Sequence, residues 1–197
     1  MAVEEKNPLV AVVLASVRED RFGNQIAQWV MEQAQTRGDA DFRLVDLKQF
    51  QLPVFDGPKP PATLNKNYGD ERVTAWSQAL DSADAFVFVV PEYNHGMPGA
   101  LKNAIDHIGP EFHRKAVAFV GYAWDGGAIR AIEQLRGISG ELNMYDIRTQ
   151  MNLTFPQDFY GKEFKPMDRR EESVQQMFDM LIPTAKALRP LREGEYN

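Results

Sequence analysis

Three continuously apolar runs constrain the fold of this chain more than any other feature of its sequence. They are Leu9 to Ala15, Ala85 to Val90 and Ala116 to Val120. Runs of this kind, rich in valine and stopped by serine, proline or glycine, are typical of central parallel strands that helices cover on both faces. The sequence therefore predicts an α/β fold around a buried parallel sheet.

Helical patterns alternate with these runs. The first helix carries Ile26, Val30 and Ala34 on one stripe and should end near Gly38. Similar stripes predict helices from Val73 to Leu80, Leu101 to Ile108, Ile129 to Ile138 and Val174 to Ala185, with strands at Asp41 to Leu47 and Met144 to Leu153. Five strands alternating with helices predict a doubly wound five-stranded parallel sheet, helices on both faces, within one domain that spans residues 1–197.

Proline marks the less regular parts of the chain. Pro183 should kink or split the last helix, because it removes a helical hydrogen bond. Phe50 to Asp70 holds four prolines and no period, which fits an active-site wall and a stiffened surface loop equally well. Phe155 to Asp168 is predicted to be a second proline-containing loop.

Composition excludes several classes of protein. The formal net charge is −6 and no basic run occurs, so binding to nucleic acid is not expected. The chain has no cysteine, hence no disulfide and no redox-active thiol, and any redox chemistry must come from a cofactor. The residues from Met1 to Pro8 do not resemble a signal peptide and no apolar run is long enough to span a membrane, so we expect a cytoplasmic location.

The segment after the first strand offers a candidate anion site. Ser16 and Arg18 follow Ala15, and the free amides of a new helix come near Asn24, Gln25 and Ile26. Helix N-termini attract anions, and an arginine adds a charge-assisted contact. Neither a dinucleotide glycine fingerprint nor a Walker loop is present, so by spacing alone a phosphate site and a solvated charged turn remain equally plausible.

The segment from Pro91 to Asn103 is the most specific motif. It reads Pro-Glu-Tyr-Asn-His-Gly-Met-Pro-Gly-Ala-Leu-Lys-Asn directly after a predicted strand, and it ends in a predicted helix. In an open parallel sheet, ligands bind beyond the carboxyl ends of the strands, where this loop would lie. A third such loop, Gly121 to Gly127, follows the strand that ends at Val120.

These motifs resemble the NAD(P)H-dependent FMN reductase family, which is flavodoxin-like and related to quinone, azo and chromate reductases. The resemblance runs from about Leu9 to Phe155, although Ala15 stands where the family usually has glycine. It implies that the FMN phosphate is held by Ser16, Arg18, Asn24, Gln25 and Ile26. It places the isoalloxazine ring against Pro91, Glu92, Tyr93, Asn94, His95 and Gly96, with Gly121, Tyr122 and Gly126 at its far edge.

The resemblance also implies an activity. A nicotinamide, NADPH or NADH, would pass hydride to bound FMN, and a quinone, free flavin, azo dye or metal ion would then be reduced in a ping-pong cycle. No protein side chain needs to be catalytic, no resident metal site is expected, and a homodimer or homotetramer is implied. The alternatives are a flavodoxin-like FMN electron carrier without nicotinamide turnover and a scaffold with a vestigial pocket.

Overall fold

The computed structural model describes residues 6–194, and it contains the predicted parallel sheet. The first five residues, which are part of the segment compared with a signal peptide, lie outside that range. The strands are Leu9–Leu14 (β1), Asp41–Asp46 (β2), Ala85–Pro91 (β3), Ala116–Ala123 (β4), Tyr145–Asp146 (β5) and Met151–Thr154 (β6). Their order is β2-β1-β3-β4-β5, with β6 also paired to β4, and every pairing is parallel. This order is that of flavodoxin-like folds.

Helices cover both faces of the sheet, as predicted. They are Gly23–Gln35 (α1), Glu71–Asp81 (α2), Gly99–Asp106 (α3), Ile129–Glu141 (α4), Phe155–Asp158 (α5) and Arg169–Glu193 (α6). Alternate residues of β1 divide between two cores because successive strand side chains point to opposite faces. Val10 and Val12 pack with α1 and α6, whereas Ala11 and Val13 pack with α2, α3 and α4.

The predicted fifth strand is divided in two. Tyr145–Asp146 pairs with the beginning of β4 and Met151–Thr154 with its end; the amide of Ile147 still donates to Val117 at 3.0 Å, and residues 148–150 leave the ladder. Arg136 on α4 bonds to this break, donating to the carbonyl of Ile147 and to the side chain of Gln150. The break is therefore held by a side chain that is distant in sequence.

Two predictions about the C-terminal third need correction. Pro183 does not split the last helix, because α6 continues through it to Glu193; the other expectation, a kink at Pro183, stays a prediction. The predicted loop from Phe155 to Asp168 instead contains α5 and an antiparallel pair, Phe159–Tyr160 (β7) and Glu163–Phe164 (β8). We call residues 155–164 the aromatic hairpin.

The proline-rich segment packs on α3. The Asn103 side chain donates to the carbonyl of Pro53 at 2.7 Å and accepts from the amide of Phe55 at 2.8 Å. The side-chain carboxylate of Glu111, which is fully buried, accepts from the hydroxyls of Tyr68 and Ser77. The segment lines clefts of its own and contributes no residue to the larger cleft described below.

Within residues 6–194, no helix combines the length and the apolar character that crossing a bilayer requires.

Candidate functional site

A cleft of about 650 Å³ opens beyond the carboxyl ends of the parallel strands. Four segments line it: residues 18–22 after β1, residues 91–93 at the end of β3, residues 122–124 at the end of β4, and the aromatic hairpin. Its volume lies within the range of roughly 300–1,000 Å³ that small-molecule sites occupy. Open parallel sheets of this topology bind their ligands at this edge.

Two arginines in the segment after β1 have different environments. Arg21 is mostly buried, forms a bidentate ion pair with Asp46, and donates to the Asn24 side chain at 2.8 Å. Arg18 is exposed, and among residues 6–194 its guanidinium makes no ion pair or side-chain hydrogen bond. It lies 5.6 Å above the ring of Tyr93. Arg18 is therefore the arginine of this segment with free donors.

At the start of α1, the side chains of two predicted site residues make contacts within the protein. Ile26 is completely buried in the core, so that its side chain cannot reach a ligand. The Gln25 amide donates to the carbonyl of Phe22 at 3.1 Å, and its side chain bonds to the aromatic hairpin at Lys162 and Phe164. No side chain caps the helix, and the amide of buried Gly23 faces the Tyr122 hydroxyl, so the amide of exposed Asn24 is the one that remains available for an anion.

The segment after β3, residues 92–98, forms a tight turn that we call the β3 loop. Tyr93 and Gly96 exchange two backbone hydrogen bonds of 2.9 and 3.0 Å. The two residues between them, Asn94 and His95, have φ values of 50° and 65°. This is the arrangement of a type I′ turn, for which asparagine is favoured because it tolerates positive φ. Both residues are exposed and neither lines the cleft.

Polar contacts hold the β3 loop in place. The Glu92 side chain, only 4% exposed, pairs with the guanidinium of Arg130 and accepts from the Arg130 amide at 3.1 Å. This carboxylate lies at the start of α4, where the helix dipole favours negative charge. The Met97 amide donates to Gln134 of the same helix at 3.0 Å. The predicted pocket residue Glu92 thus fixes the loop against α4.

Three hydroxyl groups meet below the cleft. The hydroxyls of Ser16 and Tyr93 are 2.8 Å apart. A Cβ added at Gly23 would lie 2.6 Å from the hydroxyl of Tyr122, so only glycine fits there. Burial raises the pKa of Tyr122, and the nearby Tyr93 acts in the same direction, so its phenol stays neutral. Ser16 is completely buried and joins the β1 segment to the β3 loop.

The loop after β4 is compact because glycines stand where its backbone approaches neighbouring backbone most closely. A Cβ at Gly121 would lie 2.4 Å from the carbonyl oxygen of Gly127, and a Cβ at Gly127 would lie 2.6 Å from Asn152. Gly126, Gly127 and Ala128 all have positive φ, from 54° to 66°. The predicted residues Gly121 and Gly126 therefore shape the loop, while Tyr122 lines the cleft.

The aromatic hairpin was absent from the sequence prediction, yet it forms one wall of the cleft. The ring of Phe155 lies 4.8 Å from Phe22, 4.7 Å from Phe159 and 6.0 Å from Trp124. The hairpin is anchored by Asp158, which is fully buried and forms a bidentate ion pair with Arg170 on α6 at 2.9 Å. The density of aromatic residues around Phe155 was the signal that could have revealed it.

The structure brings together some of the predicted site residues. Those that line the cleft are Arg18, Pro91, Glu92, Tyr93 and Tyr122. Ser16 lies beneath Tyr93, whereas Asn24, Gln25, Ile26, Asn94, His95, Gly96, Gly121 and Gly126 surround or support the lining without entering it. Several aromatic residues also line the cleft, although the sequence analysis did not assign them to the site. They are Phe22, Trp124, Phe155 and Phe159.

These residues fit FMN. A phosphate finds free guanidinium donors at Arg18 and the amide of Asn24 at the uncapped start of α1, while Ser16 supports Tyr93 from below. A flat ring finds aromatic walls at Tyr93 and Phe155, and apolar lining with a few polar groups is typical of cofactor sites.

Comparison with known proteins gives the same assignment. The sequence profile of the NADPH-dependent FMN reductase family matches residues 8–158. The chain is 38% identical over 151 residues to an NAD(P)H-dependent FMN reductase of Schizosaccharomyces pombe, covering 77% of this chain and 75% of that protein. It is 35% identical to a 2-hydroxy-1,4-benzoquinone reductase of Burkholderia sp, over 49% of this chain and 47% of that one.

Solved structures support the fold. FerB, a flavoenzyme NAD(P)H:(acceptor) oxidoreductase from Paracoccus denitrificans, superimposes with a TM-score of 0.72 at 19% identity, covering 91% of this chain and 98% of its own. At that identity the likeness concerns the fold alone. The family match, which spans most of the chain, confirms the resemblance deduced from the motifs. The chain therefore belongs to the NADPH-dependent FMN reductase family of oxidoreductases.

Proposed function

We propose that this chain is a single-domain FMN-dependent NAD(P)H oxidoreductase that reduces a small organic acceptor, with quinones as the favoured class. The net reaction converts NAD(P)H, a quinone and one proton into NAD(P)⁺ and a hydroquinone. The hydride chemistry is supplied by FMN when it is bound, and the protein binds, orients and encloses the reactants. The quinone assignment is supported by the Burkholderia relative, which is named for a benzoquinone substrate.

The observation that carries the proposal is the contrast between Arg18 and Arg21. Arg21 is neutralised by Asp46 and holds the segment after β1 in its conformation. Arg18, at the edge of the same cleft, keeps its donors free. An unpaired guanidinium next to uncapped helix amides is well suited to bind a phosphate bidentately.

The shape of the cleft supports a ping-pong cycle. Donor and acceptor must both reach a ring bounded by Tyr93 on the β3 loop and by the aromatic hairpin. One cleft joins these two walls, so nicotinamide and acceptor would occupy it in turn. Side chains do not have to transfer the hydride.

The first experiment is a visible spectrum of the purified protein, recorded before and after anaerobic addition of NADPH and then NADH. Flavin absorbance that bleaches within seconds is the expected result and would identify the donor. A bound flavin that does not bleach would favour the electron carrier instead. A protein that binds no FMN would contradict the cofactor assignment.

Replacing Arg18 by Ala tests the phosphate contact directly. We expect FMN affinity to fall by roughly ten- to a hundredfold, because a hydrogen bond to a charged group contributes about 1.5–3 kcal/mol. The dissociation constant is measured by quenching of FMN fluorescence, and the unfolding midpoint of the apoprotein should not change. Arg148→Ala is the matched control, since Arg148 is also exposed and makes no ion pair among the described residues. Unchanged FMN affinity in Arg18→Ala would remove Arg18 from the site.

We also propose that the chain acts in the cytoplasm as a homodimer or homotetramer. Support for self-association comes from Val54, which is 82% exposed beside a groove lined by Val17, Leu52 and Ala100. Val54→Asp should lower the mass measured by size exclusion with light scattering, because a charge would be buried in the contact. A wild-type protein that is monomeric at micromolar concentration would contradict this part of the proposal.

A further inference from the structure

Trp124 is the exposed tryptophan of this chain. Its side chain is 69% exposed, whereas Trp29 is 9% exposed and Trp76 is completely buried. A single exposed apolar residue needs no explanation by itself. Trp124, however, lines the cleft near the end of β4, where a large ring can reach a bound ligand.

The indole is already held on one side. It lies nearly parallel to the ring of Phe155, with centroids 6.0 Å apart and an interplanar angle of 29°. Phe155 is in turn fixed edge-on by Phe22 at 4.8 Å. Since the indole is still largely exposed, its remaining surface is free to take a second ring in an offset stack.

The backbone next to Trp124 is also fixed. Gly127 fits against Asn152 without room for a side chain, and its carbonyl accepts a hydrogen bond of 2.9 Å from the Asn152 amide group. The far end of the loop that carries Trp124 is therefore held in place, while the indole itself is held by its ring contact with Phe155. A loop that is already ordered loses less entropy when a ligand binds.

The charges next to Trp124 offer no partner to a negatively charged acceptor ring. Glu92 neutralises Arg130. Glu19 and Asp20 line the cleft and Asp125 follows Trp124, and none of the three forms an ion pair among residues 6–194. If Arg18 binds the cofactor phosphate, no unpaired cation of the described lining remains for an anionic acceptor.

We propose that Trp124 is a specificity-determining residue whose indole stacks on the ring of an uncharged, flat aromatic acceptor. The inference rests on the proposed function, because it names the acceptor class that the same cleft takes. A cofactor that stays bound would occupy the floor near Tyr93 and Ser16, whereas Trp124 stands at the exposed mouth, where an exchanging molecule enters.

The first test measures binding without turnover. 1,4-Naphthoquinone is titrated by calorimetry into the oxidised, FMN-loaded protein with no nicotinamide present. Trp124→Ala should raise the dissociation constant about tenfold, the size of one lost aromatic stack, whereas Trp124→Phe should stay within about threefold of the wild type. Tyr145→Ala is the control, since Tyr145 is 45% exposed but pairs with Ala116 at the opposite end of β4.

The second test compares acceptors during turnover with NADPH. Trp124→Ala should lower kcat/KM for 1,4-naphthoquinone about tenfold and leave kcat/KM for ferricyanide unchanged, because an octahedral anion cannot stack. Equal losses with both acceptors, or no loss with naphthoquinone, would overturn the proposal. Weaker FMN binding in Trp124→Ala would also overturn it, since the indole would then be contacting the cofactor.

If the proposed oxidoreductase function is wrong, the experiments give a different result from the one expected if only the role of Trp124 is wrong. Wild-type flavin that neither NADPH nor NADH bleaches would refute the oxidoreductase proposal, yet the calorimetric titration would still decide whether Trp124 binds an aromatic ring. Unchanged naphthoquinone affinity in Trp124→Ala would overturn the role of Trp124 whatever the activity.

Discussion

The two walls of the cleft are held by different forces. The β3 loop is fixed by directional polar contacts, from Glu92 to Arg130, from Tyr93 to Ser16 and from Met97 to Gln134. The aromatic hairpin meets the cleft through ring contacts of Phe155 and Phe159, and its polar anchors lie behind it. Hydrogen bonds fix geometry, whereas apolar contacts are non-directional and tolerate sliding. The comparison predicts a rigid cofactor wall and a more adaptable acceptor wall.

The largest effect should come from removing the anchor of the aromatic hairpin. Asp158→Asn leaves the guanidinium of Arg170 without its buried partner, and the Asp158 side chain is fully buried while that of Arg170 is 11% exposed. Loss of one partner of such a pair costs about 3 kcal/mol. Denaturant unfolding should show this loss, and hydrogen exchange should be faster at residues 159–165.

Glu163→Gln is the control for this variant. Glu163 lies on the same hairpin, but its pair with Lys165 is exposed on both sides, so its loss should have little effect. If Asp158→Asn is as stable as Glu163→Gln, the aromatic hairpin is held by its ring contacts alone. The two walls would then differ even more, one being held by polar contacts and the other by apolar contacts only.

A smaller effect is expected on the opposite wall. Glu92→Gln weakens the contact with Arg130, whose side chain is 48% exposed, so we expect a loss of about 1.5 kcal/mol, at the low end for hydrogen bonds to charged groups. FMN affinity should fall with it, because Tyr93 follows Glu92 directly.

Lys102→Met is the matched control for Glu92→Gln, since it removes an exposed pair with Asp106 on α3. The unfolding midpoint and the FMN dissociation constant are measured for both variants and compared with those of the wild type. An unaltered FMN affinity in Glu92→Gln would mean that the β3 loop keeps its shape without this carboxylate.

The smallest effect should follow from Gln25→Ala. Its side chain donates to the carbonyl of Lys162 at 2.9 Å and accepts from the amide of Phe164 at 2.8 Å, both at the surface. Loss of these bonds should cost about 1 kcal/mol and increase exchange of the Phe164 amide without weakening FMN binding. Gln28→Ala, on the same helix, is the control. A large loss of FMN affinity in Gln25→Ala would restore Gln25 to the phosphate site.

The elements that sequence patterns predicted well are those with a local signal. β1 and β3 are continuously apolar, and both strands appear within one residue of the predicted ends. The β3 loop was recognisable because its turn needs particular residues in sequence, such as Asn94 at positive φ. Family membership followed from the same local motifs.

The features that were missed depend on contacts between distant residues. Glu92 meets Arg130 across 38 positions, and Gln25 meets Phe164 across 139. Nothing in the sequence around Gln25 distinguishes a side chain that binds a hairpin from one that binds a phosphate. Phe155 and Phe159 likewise became part of the site only through packing on Phe22, far earlier in the chain.

Gly127 limits how the loop after β4 can be redesigned. A Cβ at this position would lie 2.6 Å from Asn152, and φ is 56°, so every substitution should distort the loop after β4. Trp124 and Asp125, just before it, are exposed, and their side chains can vary without disturbing that contact. A library that randomises these two positions and keeps Ala123 and Gly127 would therefore sample new acceptors while the sheet and the loop keep their contacts.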